Sequence, residues 1–157
     1  MVPMAAQLLV YPVLVVVLGV LVLLTVPKSR LDALLPFGVV LGGLLDYLYS
    51  EFMGPLLGIT AFKNLGFLQA SGHPLLGHIA WVFIVVLFLH FWPEDNRYLG
   101  SLYGLAWALL ATGFSQVVRN LGVFEYAPWF YPIPMLLLFI ARFAITVWAA
   151  KRLQLLR

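Results

Sequence analysis

Apolar residues arrive along this chain in long blocks, and few polar positions separate them. Residues 7–26 (QLLVYPVLVVVLGVLVLLTV) run almost without interruption, and comparable blocks occupy residues 31–52, 75–92, 98–119 and 130–150. A helix rising 1.5 Å per residue needs about 20 such residues to cross a hydrocarbon layer. Each block therefore predicts a transmembrane helix, and together they predict an all-α integral membrane protein. The expected fold is a bundle of five transmembrane helices forming one domain over residues 1–157. Pro12 is compatible with a membrane helix near its start. The first block lacks a preceding basic region and a small-residue cleavage site, so it reads as a retained helix rather than a signal peptide.

The connections differ between the two ends of the bundle. Pro27-Lys28-Ser29-Arg30 predicts a tight turn, with Ser29 and Asp32 spaced as a capping box opening the second helix. Pro93-Glu94-Asp95-Asn96-Arg97 predicts a second short loop at the same end. Residues 53–74 (MGPLLGITAFKNLGFLQASGHP) are a longer and unusually apolar link. Gly54-Pro55 should break the second helix. A short helix from Leu56 to Asn64, ended by Gly66, is expected to follow as an interfacial or re-entrant segment. Lys63-Asn64-Leu65-Gly66 is echoed by Arg119-Asn120-Leu121-Gly122. The echo reads either as two related helix-loop-helix units or as one helix-ending device used twice.

Charge fixes an expected orientation. Six of the nine basic residues (Lys28, Arg30, Arg97, Lys151, Arg152 and Arg157) fall at one end of a five-span arrangement. Lys63 and Arg119 fall at the other. The positive-inside rule then places the N-terminus outside and the C-terminus in the cytoplasm of a multi-pass cell-membrane protein. Charged residues are only 10% of the 157 and hydrophobic residues 64%, far from the roughly 25% charged of a soluble domain. The net charge of +3 reads as topology, because no basic patch with interleaved aromatics points to nucleic acid. Without cysteine there is neither a disulfide framework nor a thiolate metal site.

The polar residues inside or beside the spans are the candidate site. Asp46, Tyr49 and Ser50 share a face of the second helix, and Glu51 follows them. Ser115 with Arg119, and Gln116 with Asn120, form a polar stripe on the fourth helix. His78 lies in the first turn of the third helix, just after His73. Glu125 and Tyr126 open the last outer link, and Arg142 lies near the middle of the fifth helix. A charge at that depth normally faces the bundle interior with a partner. Asp46 is the better candidate, since their pairing compensates two buried charges, with Thr112 and Ser115 as alternatives. Such a pair reads either as a staple between helices or as part of a functional site. His78 and His90 are separated by about 18 Å along one helix, too far to share a ligand. His73 and His78 can share a site only if Pro74 bends the chain suitably. His90 fits an aromatic belt beside Trp92. No HExxH, phosphate loop or Ser-His-Asp spacing occurs, so no metal and no cofactor are expected. Gly38, Gly42 and Gly43 give the second helix a small face for close packing.

Asp46-Tyr47-Leu48-Tyr49, the Trp92-Pro93 turn, Asn120-Leu121-Gly122-Val123-Phe124-Glu125-Tyr126, Trp129 and Arg142 together resemble a family of small uncharacterised polytopic membrane proteins of spore-forming Gram-positive bacteria. The likeness spans most of the chain after residue 30 and implies a five-helix membrane fold, without implying an activity. It departs from the family at Gln116, near which members carry a carboxylate. Three function classes follow from the sequence. The first is a non-enzymatic protein binding a lipid, a small amphiphile or a partner helix through the outer-side polar cluster. The second is an intramembrane enzyme acting on a lipid-like substrate, with Asp46, Glu51, His78 or Glu125 as acid-base groups. The third is a transporter or transporter subunit, which five helices suit best as a homo-oligomer.

Overall fold

A computed structural model describes residues 2–156; Met1 and Arg157, the latter counted above among the basic residues, lie outside the described residues. The chain forms five long helices: α1 (Met4–Thr25), α2 (Lys28–Leu56), α3 (Leu75–His90), α4 (Arg97–Asn120) and α5 (Ile133–Arg152). Four of them, α1, α2, α4 and α5, are long and apolar enough to cross a membrane. With 16 residues, α3 is about 24 Å long, shorter than a full span. It is also the helix the others surround. Val85, Val86, Phe88 and Leu89 on it are at most 1% exposed. By contrast α1 leaves Val16, Leu23 and Leu24 more than 60% exposed, as a lipid-facing surface requires.

Three expectations about α2 are corrected. Extended Pro27 caps its N-terminus, and its carbonyl accepts from Arg30 and Leu31 N–H at 2.9 Å each. The helix therefore begins at Lys28. Ser29 falls within the first turn, and no side-chain capping bond, hence no capping box, forms. Nor does Gly54-Pro55 break the helix. A π-helical stretch over Phe52–Leu56 widens the turn, which accommodates a ring that would otherwise clash with an α-helical carbonyl. The helix ends only where Gly58 turns left-handed at φ 64°.

The expected short helix from Leu56 to Asn64 is also absent. Strand β1 (Thr60–Phe62) pairs antiparallel with β4 (Phe124–Tyr126), Thr60 facing Tyr126 and Phe62 facing Phe124. Strands β2 (Gln69–Ala70) and β3 (His73–Pro74) form a small hairpin. Ser71 and Gly72 turn it at φ 51° and 79°, the two positive angles of a hairpin turn. Thr60 and Phe62 suit a strand, and a partner strand 64 positions away in the register satisfies the backbone that the sequence alone left to a helix. The two echoed segments also part company. At Arg119–Gly122 the motif closes α4 with a Schellman pair: Val123 N–H donates to Val118 O and Gly122 N–H, at φ 78°, to Arg119 O. At Lys63–Gly66 it ends no helix. Instead Asn64, at φ 48°, donates to Gly122 O at 3.0 Å and to Gln7 Oε1 at 2.9 Å, so the two copies touch.

Small residues bring α2 and α3 together as the sequence suggested. A Cβ on Gly42 would lie 2.4 Å from Trp81 O, and one on Gly38 2.8 Å from Val82 O. Beyond this contact, α4 and α5 close on α3 through aromatic packing. Phe88 stacks on Tyr103 at 5.3 Å and meets Phe143 at 4.6 Å between ring centres. The Tyr103 hydroxyl donates to Phe88 O. Both sheets lie at one end of the bundle, the sheet end. Lys28, Arg30, Arg97, Lys151 and Arg152 gather at the other, the basic end, where Arg30 approaches Glu94 at 3.9 Å.

Candidate functional site

Helix ends and helix rise decide which polar residues meet. Asp46 lies ten residues before Leu56, and Arg142 nine after Ile133. Both are therefore about 14–15 Å from the sheet end along their helices, deeper for Asp46 than a helix ending at residue 52 would place it. At this common level Arg142 Nη1 donates to Asp46 Oδ1 at 2.8 Å, and Nη2 donates to Gly42 O at 3.0 Å. The guanidinium carbon lies 3.6 Å from the centre of the Trp81 ring, a cation–π contact. Asp46 uses its other oxygen for His78, whose Nδ1 is 2.6 Å from Oδ2. An ionised carboxylate only accepts, so His78 Nδ1–H is the donor.

A second carboxylate–histidine pair stands one turn away. His73 Nε2 is 2.8 Å from Glu51 Oε1. Pro74 is extended, at φ −77° and ψ 106°, and this folds His73 back until its ring centre is 5.6 Å from that of His78. Tyr47 and Phe62 flank both rings. His73 Nδ1 and His78 Nε2 are buried without a partner, as is Arg142 Nε. Among the described residues, no group of three or more His, Asp or Glu side chains is placed to hold a metal ion.

Beside this cluster lies a cavity of about 370 Å³. Leu14, Leu18 and Leu21 of α1 line one wall, and Trp107, Leu110, Ala111 and Phe114 of α4 the facing one. Asp46, Tyr49, Ser50, Thr60, His78 and Ser115 line its polar part. The spacing of the α1 leucines, at i, i+4 and i+7, gives the wall one continuous apolar face. The volume falls at the lower end of the 300–1,000 Å³ of small-molecule sites.

The nine candidate residues thus sort into separate places. Asp46, Tyr49 and His78 line the cavity, Arg142 joins them from behind through Asp46, and Glu51 adjoins them through His73. Gln116, Arg119 and Tyr126 form another group: the Tyr126 hydroxyl donates to Gln116 Oε1, Gln116 Nε2 donates to Asn120 Oδ1, and the Arg119 guanidinium lies 4.7 Å from the Tyr126 ring centre. Glu125 lies on β4 with its side chain exposed, paired with Lys63 at 2.6 Å. His90, the last residue of α3, packs on Phe91, 4.7 Å between ring centres. Trp81 and the Gly42 carbonyl were missed, although Trp81 is one turn after His78 and a π-helical stretch over Gly38–Leu44 leads directly to Asp46. Comparison with known proteins finds no matching family model, no matching curated protein and no matching solved structure.

Proposed function

We propose that the protein is a small multi-pass membrane protein that binds a lipid-like amphiphile in the cavity between α1 and α4. Its apolar tail lies against the leucines of α1 and the aromatic wall of α4. Its polar end meets the hydroxyls and imidazole beside Asp46. The observation that carries this reading is the division of one cavity into a long apolar wall and a compact polar end, the shape of an amphiphile. Arg142 is engaged by Asp46, Gly42 and Trp81, so it organises the polar end rather than capturing an anion directly. The sheet end faces outward and the basic end faces the cytoplasm, in accord with the positive-inside rule.

Lipid retention tests the reading. Protein purified in mild detergent is expected to carry about one tightly held lipid or amphiphile per chain, detected by mass spectrometry of the extract. Ala111→Phe, which fills the α4 wall, should reduce that content about tenfold while leaving helix content unchanged. Equal lipid in both proteins, or a composition in both that mirrors the bulk membrane, contradicts the proposal.

The Asp46–His78 contact favours a second reading, that of an intramembrane enzyme acting on a lipid-like substrate. A carboxylate holding Nδ1–H fixes the imidazole tautomer that leaves Nε2 basic, the arrangement of an acid–base histidine. Turnover of a bound ester or phosphoester, abolished by His78→Gln with binding retained, would separate this reading from the first.

A further inference from the structure

Two imidazoles at the sheet end each have one nitrogen on a carboxylate and one with no partner. His73 Nε2 meets Glu51 at 2.8 Å and His78 Nδ1 meets Asp46 at 2.6 Å. His73 Nδ1 and His78 Nε2 are the buried, unpartnered atoms. A neutral imidazole has a single N–H. Facing an ionised carboxylate, each ring spends that N–H there and keeps a bare lone pair. Burying an unpaired polar atom is costly. With both histidines neutral, Asp46, Glu51 and Arg142 sum to one net negative charge. One further proton brings the cluster to neutrality. The ring centres are 5.6 Å apart and the two nitrogens form no direct hydrogen bond, so a proton placed between them through one bridging water satisfies both.

We propose that His73 and His78 share one proton, and that this proton links Glu51 at the sheet-end surface to Asp46 at the polar end of the cavity. The Glu51 side chain is 37% exposed, whereas those of His73 and His78 are 3% and 8% exposed, so Glu51 is the point of exchange with bulk water. In the loaded state the Glu51–His73 pair holds two protons, one in the contact with Nε2 and one on Nδ1. Transfer moves the Nδ1 proton to His78 Nε2 and the His78 Nδ1 proton to Asp46 Oδ2. Glu51 and His73 then hold one proton, as before loading, His78 stays neutral in its other tautomer, and Asp46 is protonated. Only N–H and O–H bonds are exchanged. The titratable and charged groups facing the pair are Asp46, Tyr47, Tyr49 and Glu51 from α2, Tyr11 from α1 and Arg142 from α5.

Proton counting tests it. The full-length protein in detergent is titrated potentiometrically across pH 5–8, where imidazoles exchange protons, as wild type, His73→Gln, His78→Gln and the double variant. A shared proton predicts that the double variant binds one proton fewer than wild type, and that each single variant loses less than one. Loss of one proton per histidine, two in the double, overturns the proposal. A stoichiometric transition metal in purified wild type also overturns it, because the cation would occupy the proton's place. Nitrogen-15 NMR of histidine-labelled wild type decides independently should a variant fail to fold. One imidazolium proton exchanging between the two rings is expected. Two neutral rings of fixed tautomer throughout this range overturn the proposal.

Discussion

Arg142 and Asp46 are joined at 2.8 Å across 96 positions of sequence, in the interior of the bundle. Each is 7% exposed, so neither charge has water to fall back on. Breaking a buried pair from one side strands the other partner, at a cost of about 3–5 kcal/mol. Asp46→Asn and Arg142→Gln are each expected to lower thermal stability in detergent by an amount in that range. The double variant should recover part of the loss, giving a non-additive cycle. Small, strictly additive effects in the four unfolding curves would show that the two charges do not stabilise one another.

The packing of α2 on α3 makes a sharper demand at one glycine. A Cβ at Gly42 meets the Trp81 carbonyl at 2.4 Å, a backbone atom that cannot swing away. Gly42→Ala should therefore push the helices apart and cost about 1–3 kcal/mol or more. Gly113 on α4 has nothing within 4 Å of its added methyl, so Gly113→Ala should be neutral or stabilising by up to about 1 kcal/mol. Chemical unfolding of the pair reads the contrast, and equal effects would count against the close approach.

At the sheet end, the shorter contact is the weaker one in energy. Lys63 and Glu125 pair at 2.6 Å, but both side chains are half exposed, so Lys63→Met should change stability by less than about 1 kcal/mol. Asn64 joins Gly122 O and Gln7 Oε1 while holding a left-handed turn. Asn64→Ala removes both bonds and strains the turn, and should cost about 1–3 kcal/mol. Proteolysis rates within residues 57–72 report the loosening: a faster cut in the Lys63 variant than in the Asn64 variant would reverse this ranking.

Orientation is testable because the native chain has no cysteine to give background. Ser71→Cys, in the hairpin turn, should react with a membrane-impermeant thiol reagent on intact cells. Lys151→Cys, at the basic end, should react only after permeabilisation. The opposite pattern would overturn the proposed topology.

The helices were legible because their signal is local: run length alone located all five, within a few residues at most ends. The link between α2 and α3 was not, because β1 acquires its character from β4, and no local pattern in residues 53–74 announces a partner at 124–126. Glycine and proline misled for the same reason. Gly54-Pro55 is a helix breaker in isolation and a tolerated π turn in this bundle. Asp46 and Arg142 could be matched because buried charge of each sign is scarce here; their common depth was not legible, because it depends on α2 continuing to Leu56. His73 could be offered as a neighbour of His78 only conditionally, because its place depends on the backbone angles of Pro74 rather than on any helical spacing. Gln116, Arg119 and Tyr126 do cluster, but helical periodicity could not show that their partners are one another rather than Asp46.

The wide sequence separation of Asp46's two partners has a consequence for biosynthesis. His78 follows it by 32 positions and Arg142 by 96. A chain made from its N-terminus therefore presents the aspartate to its histidine while the arginine is still untranslated. The first three helices can gather around that early contact, held by the glycine face of α2. The last helix then arrives carrying a cation for which a half-compensated acid is already waiting, and its insertion completes the charge balance. A ribosome-nascent-chain complex stalled before residue 142 would capture the protein in that earlier state.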